Sequence, residues 1–365
     1  MSHVAARTAL NAICPYFTMF PLEFPLRVLR RARRGEWVLD PFAGRGTTTY
    51  AARLLGLPSV AIDSSPVATA LTEAKLADVA PADVVRAASR ILARSKDVPV
   101  PEGPFWRLAY APDVLQRLCQ LRQSLLRDCR SDARKALRGI VLGALHGPVN
   151  KGAKTYFSNQ CPRTYAPKPR YATTFWRARG LRPPSVDVLE IIQRRAGWYY
   201  ESQPPADGYV IRADSRLPET FKDLRGTNPR WIITSPPYYG MKTYIPDQWL
   251  RNWFLGGPSE VEYSNSRQLE HRTPQGFAED LRKVWRNLAT VAAEEARMVV
   301  RFGGITDRKA DPLDIARASF VGSGWRITRT QDAGSADHGQ RQALLFAPRQ
   351  ASARSEFDIW LARTD

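Results

Sequence analysis

Ser235, Pro236, Pro237 and Tyr238 follow directly on the apolar run Trp231, Ile232, Ile233, Thr234. Two adjacent prolines lack the N–H a sheet ladder needs and have fixed φ, so they end a strand and lock the backbone beyond it. A locked turn is chemically useful where acceptors must converge on one atom. An exocyclic base amine is a poor nucleophile, because its lone pair is delocalised into the ring. Acceptors around its N–H bonds favour pyramidalisation and direct the lone pair at an electrophile. The Ser235 hydroxyl and the Pro236 carbonyl are suited to that task, and Tyr238 offers a ring on which a flipped base can stack. The plainer alternative is a proline-rich turn with packed tyrosines, and such turns are common. The remainder of the chain favours the chemical reading.

A second constellation lies upstream, in the stretch VLDPFAGRGTTT. Asp40 stands at the end of a short apolar run, with Gly44 and Gly46 in the turn before a helical pattern that opens on Thr47 and Thr48. Glycines at such a place permit a sharp turn and close approach of a ligand, and a helix N-terminus offers free N–H groups to an anion. A dinucleotide fingerprint would need a third glycine at position 49, which is threonine. Asp63 ends the next apolar run. An acid there can accept hydrogen bonds from both hydroxyls of a ribose. It can also cap the helix starting near Pro66, and the glycine loop upstream favours the ribose.

The elements that must position these groups are legible as a rhythm. WVLD (37–40) reads as a strand, the glycine turn as a loop, TTYAARLLG as a helix, SVAID (59–63) as a strand and SPVATALTEAKLADV as a helix. LEFPLRVLRRARRG reads as an earlier helix closed by Gly35. Strand, helix, strand, helix implies a parallel α/β sheet. Alternation resumes in GYVIRAD (208–214), RWIITS (230–235), ARMVVRF (296–302), WRITRT (325–330) and RQALLFA (341–347). Between the halves, residues 80–207 carry helical periodicity and then a proline-rich, acid-free stretch. There Lys151, Lys154, Arg163, Lys168, Arg170 and Arg177 interleave with aromatic rings. Such residues suit phosphates and base edges, or equally a solvated loop docked by its aromatics. Trp249 and Trp253, four apart, suit one buried helix face, and Tyr244 is a candidate flap over a base.

Composition narrows the partner. Lys and Arg number 54 against 35 acidic residues, a net charge of +19, which favours a polyanion through counterion release. The four cysteines form no C-x-x-C pair, so neither a zinc site nor a disulfide framework is expected. No signal segment or bilayer-spanning run is evident, so a cytoplasmic protein without membrane contact is expected.

With both constellations in view, the chain resembles the S-adenosylmethionine-dependent amino-methylating DNA methyltransferases. DPFAGRGTT resembles that family's cofactor loop, and TSPPYY its catalytic turn, in the serine form associated with cytosine N4 methylation. PYFTMFPLEFPLRVL (15–29) resembles the segment that contacts the methionine end of the cofactor, and Cys14 stands where the family usually has histidine. IRADSR resembles the third cofactor strand, with Asp214 near the adenine. The resemblance covers 15–79 and 208–365, with motifs in the family's α-type order. It implies a Rossmann-like class I methyltransferase sheet, mostly parallel with an antiparallel strand near the C-terminus, and a helical, basic insertion. The implied domains are 1–79, the insertion 80–207 as target recognition region, and 208–365.

Implied cofactor contacts are Tyr16, Phe20, Asp40, Phe42, Gly44, Gly46, Thr47, Thr48, Asp63 and Asp214. The implied catalytic set is Ser235, Pro236, Pro237 and Tyr238, with no metal. The implied partner is double-stranded DNA with a flipped base, alongside a restriction or defence component. Adenine N6 methylation, RNA methylation and a silent nucleic-acid-binding protein of the same fold are the alternatives.

Overall fold

The computed structural model describes residues 8–15, 20–94, 97–147, 155–161, 168–224, 226–240, 248–261, 269, 272–304, 310–335 and 355–364. In chain order these form α1 (Glu23–Leu29), β1 (Val38–Asp40), α2 (Thr47–Leu54), β2 (Ser59–Asp63) and α3 (Pro66–Leu76). Helices α4 (Pro81–Arg94), α5 (Pro104–Ala109), α6 (Pro112–Arg127), α7 (Asp132–Ala144), α8 (Pro169–Ala178) and α9 (Val188–Tyr200) follow. Then come β3 (Gly208–Arg212), β4 (Trp231–Thr234), α10 (Trp249–Phe254), α11 (Pro274–Ala289) and β5 (Arg297–Gly303). The chain closes with α12 (Pro312–Phe320), β6 (Trp325–Ser335) and β7 (Ser355–Arg363). None of the described helices is long and apolar enough to cross a membrane.

The chain divides into two compact units. One draws on residues within 16–72, 205–243 and 266–365 and holds the whole sheet, in the order β3-β2-β1-β4-β5-β7-β6. Strands β3, β2, β1, β4 and β5 run parallel, and β7 enters antiparallel between β5 and β6. The sheet is mostly parallel with an antiparallel strand near the C-terminus, as the sequence leads one to expect. Period-two alternation sorts its residues by face. Leu39, Val60, Ile62, Ile232, Met298, Val300, Phe302, Ile359 and Leu361 join one core cluster with Phe277, Leu281, Val284, Trp285 and Leu288 of α11 and Ile315 and Phe320 of α12. The chain builds outward from β1 to β3 and then returns to lay β4 on the other side of β1. That reversal opens a crevice outside the carboxyl ends of β1 and β4, where ligands of such sheets bind.

The other unit is helical and draws on residues within 1–15, 73–204 and 244–265. It therefore includes two segments outside the expected insertion of 80–207, and packing explains both. Gly143 of α7 lies so close to residue 13 that a Cβ would stand 1.9 Å from the Ile13 carbonyl oxygen. At the other end, Trp253 of α10 packs its ring 4.5 Å from that of Trp106, and Arg122 Nε donates to its carbonyl at 2.7 Å. Trp249 and Trp253 are both buried, as their spacing predicts.

One expectation changes and two gain detail. Helix α1 ends at Leu29, six residues before Gly35, so Gly35 (φ +86°) serves the turn into β1 and not the helix cap. Among the described residues the final strand is Ser355–Arg363; the expected strand RQALLFA (341–347) lies outside the described residues. The proline-rich stretch holds a real helix, α8, with Pro169 in its first turn.

Candidate active site

The glycine turn is shaped by backbone conformation and by two acids. Gly44 and Gly46 both have positive φ, +52° and +73°, which other residues adopt at a cost. Their absent side chains serve different ends. A Cβ on Gly46 would fall 2.7 Å from Thr72 Oγ1 on α3, so this glycine lets the two helices approach. A Cβ on Gly44 would meet only the Phe42 carbonyl oxygen at 4.0 Å, so this part of the loop faces open space.

Asp63 holds that loop in place. Its Oδ2 accepts from the Gly44 N–H at 2.8 Å and its Oδ1 from the Ser65 N–H at 2.8 Å. The residue is only half-buried, yet its carboxyl group is enclosed, and that burial pushes its pKa up to about 6 against the pull of the backbone donors. Both readings of Asp63 are thus compatible with one geometry. It caps the turn into α3, and each oxygen retains a lone pair for a further donor.

Asp40 is fully buried at the end of β1. Its Oδ1 accepts from the Thr234 hydroxyl at 2.6 Å and from the Phe42 N–H at 3.1 Å, and the Thr48 hydroxyl also reaches the carboxylate. Its Oδ2 is buried without a partner among the described residues. Burial is the main cause that lifts its pKa to about 6, and the neighbouring charge of Asp63 adds to it. A buried carboxylate oxygen with nothing to accept from is expensive and calls for a donor. An ammonium group of a bound cofactor fits that need.

The Ser-Pro-Pro-Tyr turn leaves β4 beside this loop. Thr234, the residue before it, is the one bonded to Asp40, and Thr48 at the start of α2 donates to the Ile233 carbonyl at 3.2 Å. The turn and the glycine loop are therefore stitched together by two hydroxyls, a link that sequence reasoning misses. Ser235 is half-buried, and its hydroxyl has no hydrogen-bond partner among the described residues. Pro236 is buried and Pro237 half-buried. Tyr238 is half-buried, its ring edge-on to Phe302 at 5.6 Å, and its hydroxyl donates to Glu356 Oε1 at 2.6 Å.

Other expected residues are more varied. Phe20 packs edge-on against Phe24, and Phe42 against Trp285 in the core. Thr47 is buried in the first turn of α2. The Asp214 carboxylate is gripped by Arg216, whose Nη2 lies 2.6 Å from Oδ2 and which also bridges to Asp280 at 2.7 Å. Burial works to raise the Asp214 pKa, but the guanidinium outweighs it and holds the group below its ordinary range. Tyr16 lies outside the described residues, as do Lys151, Lys154, Arg163 and Tyr244. Lys168, Arg170 and Arg177 are exposed on and beside α8. Cys14 is buried, and His146 is a core residue of the helical unit, 2.7 Å from Ser158 Oγ, with its pKa driven down to about 3 by burial.

Residues 3–73 match the model of a family described as DNA methylase, with N6 and N4 specificity in its name. The methylases of that family use S-adenosylmethionine. No curated protein matches the chain. Among solved structures, the rRNA methyltransferase aviRa from Streptomyces viridochromogenes aligns with 13% identity and a TM-score of 0.40, covering 100% of this chain and 93% of its own. TrmN from Thermus thermophilus aligns with 12% identity and a TM-score of 0.32, over 94% of this chain and 48% of that one. Magnesium protoporphyrin IX methyltransferase from Synechocystis PCC 6803, with bound SAM, aligns with 8% identity and a TM-score of 0.33, over 99% and 81%. Likeness this distant carries no argument about substrate.

Proposed function

We propose that the chain is an S-adenosylmethionine-dependent DNA amino-methyltransferase that modifies the N4 amine of cytosine within a short duplex sequence. The observation that carries this reading is the Thr234–Asp40 hydrogen bond, which fixes the Ser-Pro-Pro-Tyr turn to the cofactor loop across two adjacent parallel strands. A methyl donor and an amine acceptor must be held end to end, and proximity and alignment of this kind supply much of the rate of a direct transfer.

S-adenosylmethionine supplies an electrophilic methyl group on sulfur. The chain's residues do the rest. Asp40 Oδ2 accepts from the ammonium end of the cofactor, Asp63 from the ribose hydroxyls, and the open face at Gly44 gives the backbone close approach. The Ser235 hydroxyl and the Pro236 carbonyl accept from the two N–H bonds of the amine, localising its lone pair. Tyr238 presents a ring for the flipped base. The charge of +19 and the exposed Lys168, Arg170 and Arg177 suit a phosphate backbone.

Nucleoside mass spectrometry of DNA and of RNA incubated with the protein and S-adenosylmethionine tests the proposal, with Ser235→Ala in parallel. N4-methyldeoxycytidine from the wild type, lost or strongly reduced in the variant, is the expected result. N6-methyldeoxyadenosine would keep the amine mechanism and overturn the base. Methylated RNA nucleosides alone would overturn the DNA partner. No transfer to either polymer, with DNA binding retained, would overturn the enzymatic reading.

A further inference from the structure

Glu356 is 2% exposed, on the first turn of alternation in β7, far from every motif that marks the cofactor loop. Its Oε1 accepts a hydrogen bond from the Tyr238 hydroxyl at 2.6 Å, at the short end of the O–H···O range. Directly across the sheet it pairs with Gly303, the last residue of β5. A Cβ at Gly303 would stand 3.0 Å from Glu356 Cγ and 3.1 Å from Tyr238 Cε2. The glycine is thus the gap into which ring and carboxylate fit, and Phe302 closes the ring from the side, edge-on at 5.6 Å. Two residues on, Asp358 on the same face is equally buried, and there Arg301 holds it with two bonds at 2.7 and 2.9 Å while Arg27 adds a third at 2.9 Å. A buried acid at 356 needs hydrogen-bond donors, and the Tyr238 hydroxyl is one of them.

We propose that Glu356 is a positioning residue that, with Gly303 as its clearance, fixes the Tyr238 ring in the orientation in which it receives the flipped base. The inference rests on the methyltransferase reading above for what the ring receives, but the fixing itself does not. An unrestrained tyrosine on a turn samples several rotamers, and a base can stack on only one of them. One bond from the phenol tip and one ring contact at its edge select that rotamer before the nucleic acid arrives. Pre-organisation of this kind lowers the barrier to productive stacking without touching the reacting atoms.

The experiment compares wild type with Glu356→Gln, Glu356→Leu, Tyr238→Phe and the Glu356→Leu/Tyr238→Phe pair, all as full chains. Two readouts are taken: methyl transfer to unmodified duplex DNA, and the 19F spectrum of 3-fluorotyrosine placed at 238. Glu356→Leu and Tyr238→Phe each lower turnover on the order of tenfold or more, a decrease in keeping with a misplaced group near the reacting centre. The pair falls short of the product of the two single effects, because both remove the bond between Tyr238 and Glu356. Glu356→Gln keeps an acceptor and restores most of the turnover, while KM for S-adenosylmethionine is unchanged throughout. The fluorine resonance, single and sharp in the wild type, broadens or splits in Glu356→Leu and not in Glu356→Gln.

A resonance that stays the same in Glu356→Leu, or single effects that multiply in the pair, would overturn the positioning role. A wild type that methylates neither DNA nor RNA yet shows the fluorine response would instead overturn the methyltransferase reading and leave the positioning intact. Gly303→Ala provides a further check: it should disturb the same resonance by crowding, with Glu356 present.

Discussion

At the residue scale, Asp40 shows what the site demands of its chemistry. Its carboxyl group is buried, its pKa is lifted from 3.8 to about 6, and one of its oxygens lacks a donor among the described residues. A carboxyl group that holds its proton more tightly folded than unfolded favours the fold most below pH 3.8. That advantage is lost as pH rises through about 6. The cost of keeping it ionised at neutral pH is roughly 3 kcal/mol on the scale of 1.36 kcal/mol per pK unit. Asp40→Asn removes that cost, keeps an acceptor for Thr234 and Phe42, and leaves an amide where the free oxygen stood. Urea denaturation at pH 7.5 should find the variant more stable than wild type by roughly 1–2 kcal/mol, with the gain shrinking toward pH 4.5. In calorimetry the same variant should bind S-adenosylmethionine at least about tenfold more weakly, the scale of one charge-assisted hydrogen bond. Wild-type affinity should itself fall as pH drops below about 6, where Asp40 takes up its proton. A variant less stable than wild type at pH 7.5 would mean that the ionised carboxylate already has a partner.

At the element scale, the strand–turn–helix unit from β1 to α2 depends on two glycines whose tasks differ. Gly46→Ala meets two penalties, a left-handed backbone and a Cβ 2.7 Å from a Thr72 hydroxyl that is itself bonded to the Ala68 carbonyl at 3.0 Å. Together these should cost roughly 2–4 kcal/mol. Gly44→Ala meets only the first, about 1–2 kcal/mol. Adding Thr72→Ala should recover the packing part of the Gly46→Ala destabilisation and none of that from Gly44→Ala, as read by chemical denaturation. Equal destabilisation by the two substitutions would show that α3 yields without resistance.

This same unit is the most legible part of the sequence, because every device in it is local: an apolar run, positive-φ glycines, a helix and an acid at the next strand end. The rest is hidden for identifiable reasons. Thr234 meets Asp40 across 194 residues and Tyr238 meets Glu356 across 118, and no local pattern encodes such pairings. Strand β7 does alternate, with Phe357, Ile359 and Leu361 on one face, but charged Glu356 and Asp358 on the other look solvated until a buried arginine and a tyrosine are found to meet them. Helix α8 is short and lies in a proline-rich stretch that hides its period, although Pro169 at its first turn is well suited to start a helix.

At the scale of the whole molecule, a charge of +19 favours a polyanionic partner but does not say which surface would receive one. Helix α8 is the most specific candidate. Residues 168–182 contain no acid, and Lys168, Arg170, Arg177, Arg179 and Arg182 are all exposed. Along one face Tyr171, 54% exposed, stacks on Phe175 with centroids 6.3 Å apart, and the Arg179 guanidinium lies 4.1 Å over the Phe175 ring. A helix fixes the spacing of the Cα atoms that carry its cations, and the ring holds Arg179 in place, which suits phosphates better than a loose basic loop. The sheet unit offers an internal control in Arg30, Arg31 and Arg34, equally exposed but leading into the amino end of β1, away from the carboxyl-end crevice. Every phosphate that a cation no longer neutralises should reduce the steepness of log affinity against log salt by about 0.9. Arg170→Ala/Arg177→Ala/Arg179→Ala should therefore flatten the slope for duplex DNA by about 2–3 and weaken binding most at low salt. The control triple Arg30→Ala/Arg31→Ala/Arg34→Ala removes the same charge and should leave the slope near that of the wild type. Fluorescence anisotropy across a salt series separates the two cases. Equal flattening by both triples would mean that net charge alone, and no particular helix, draws the nucleic acid.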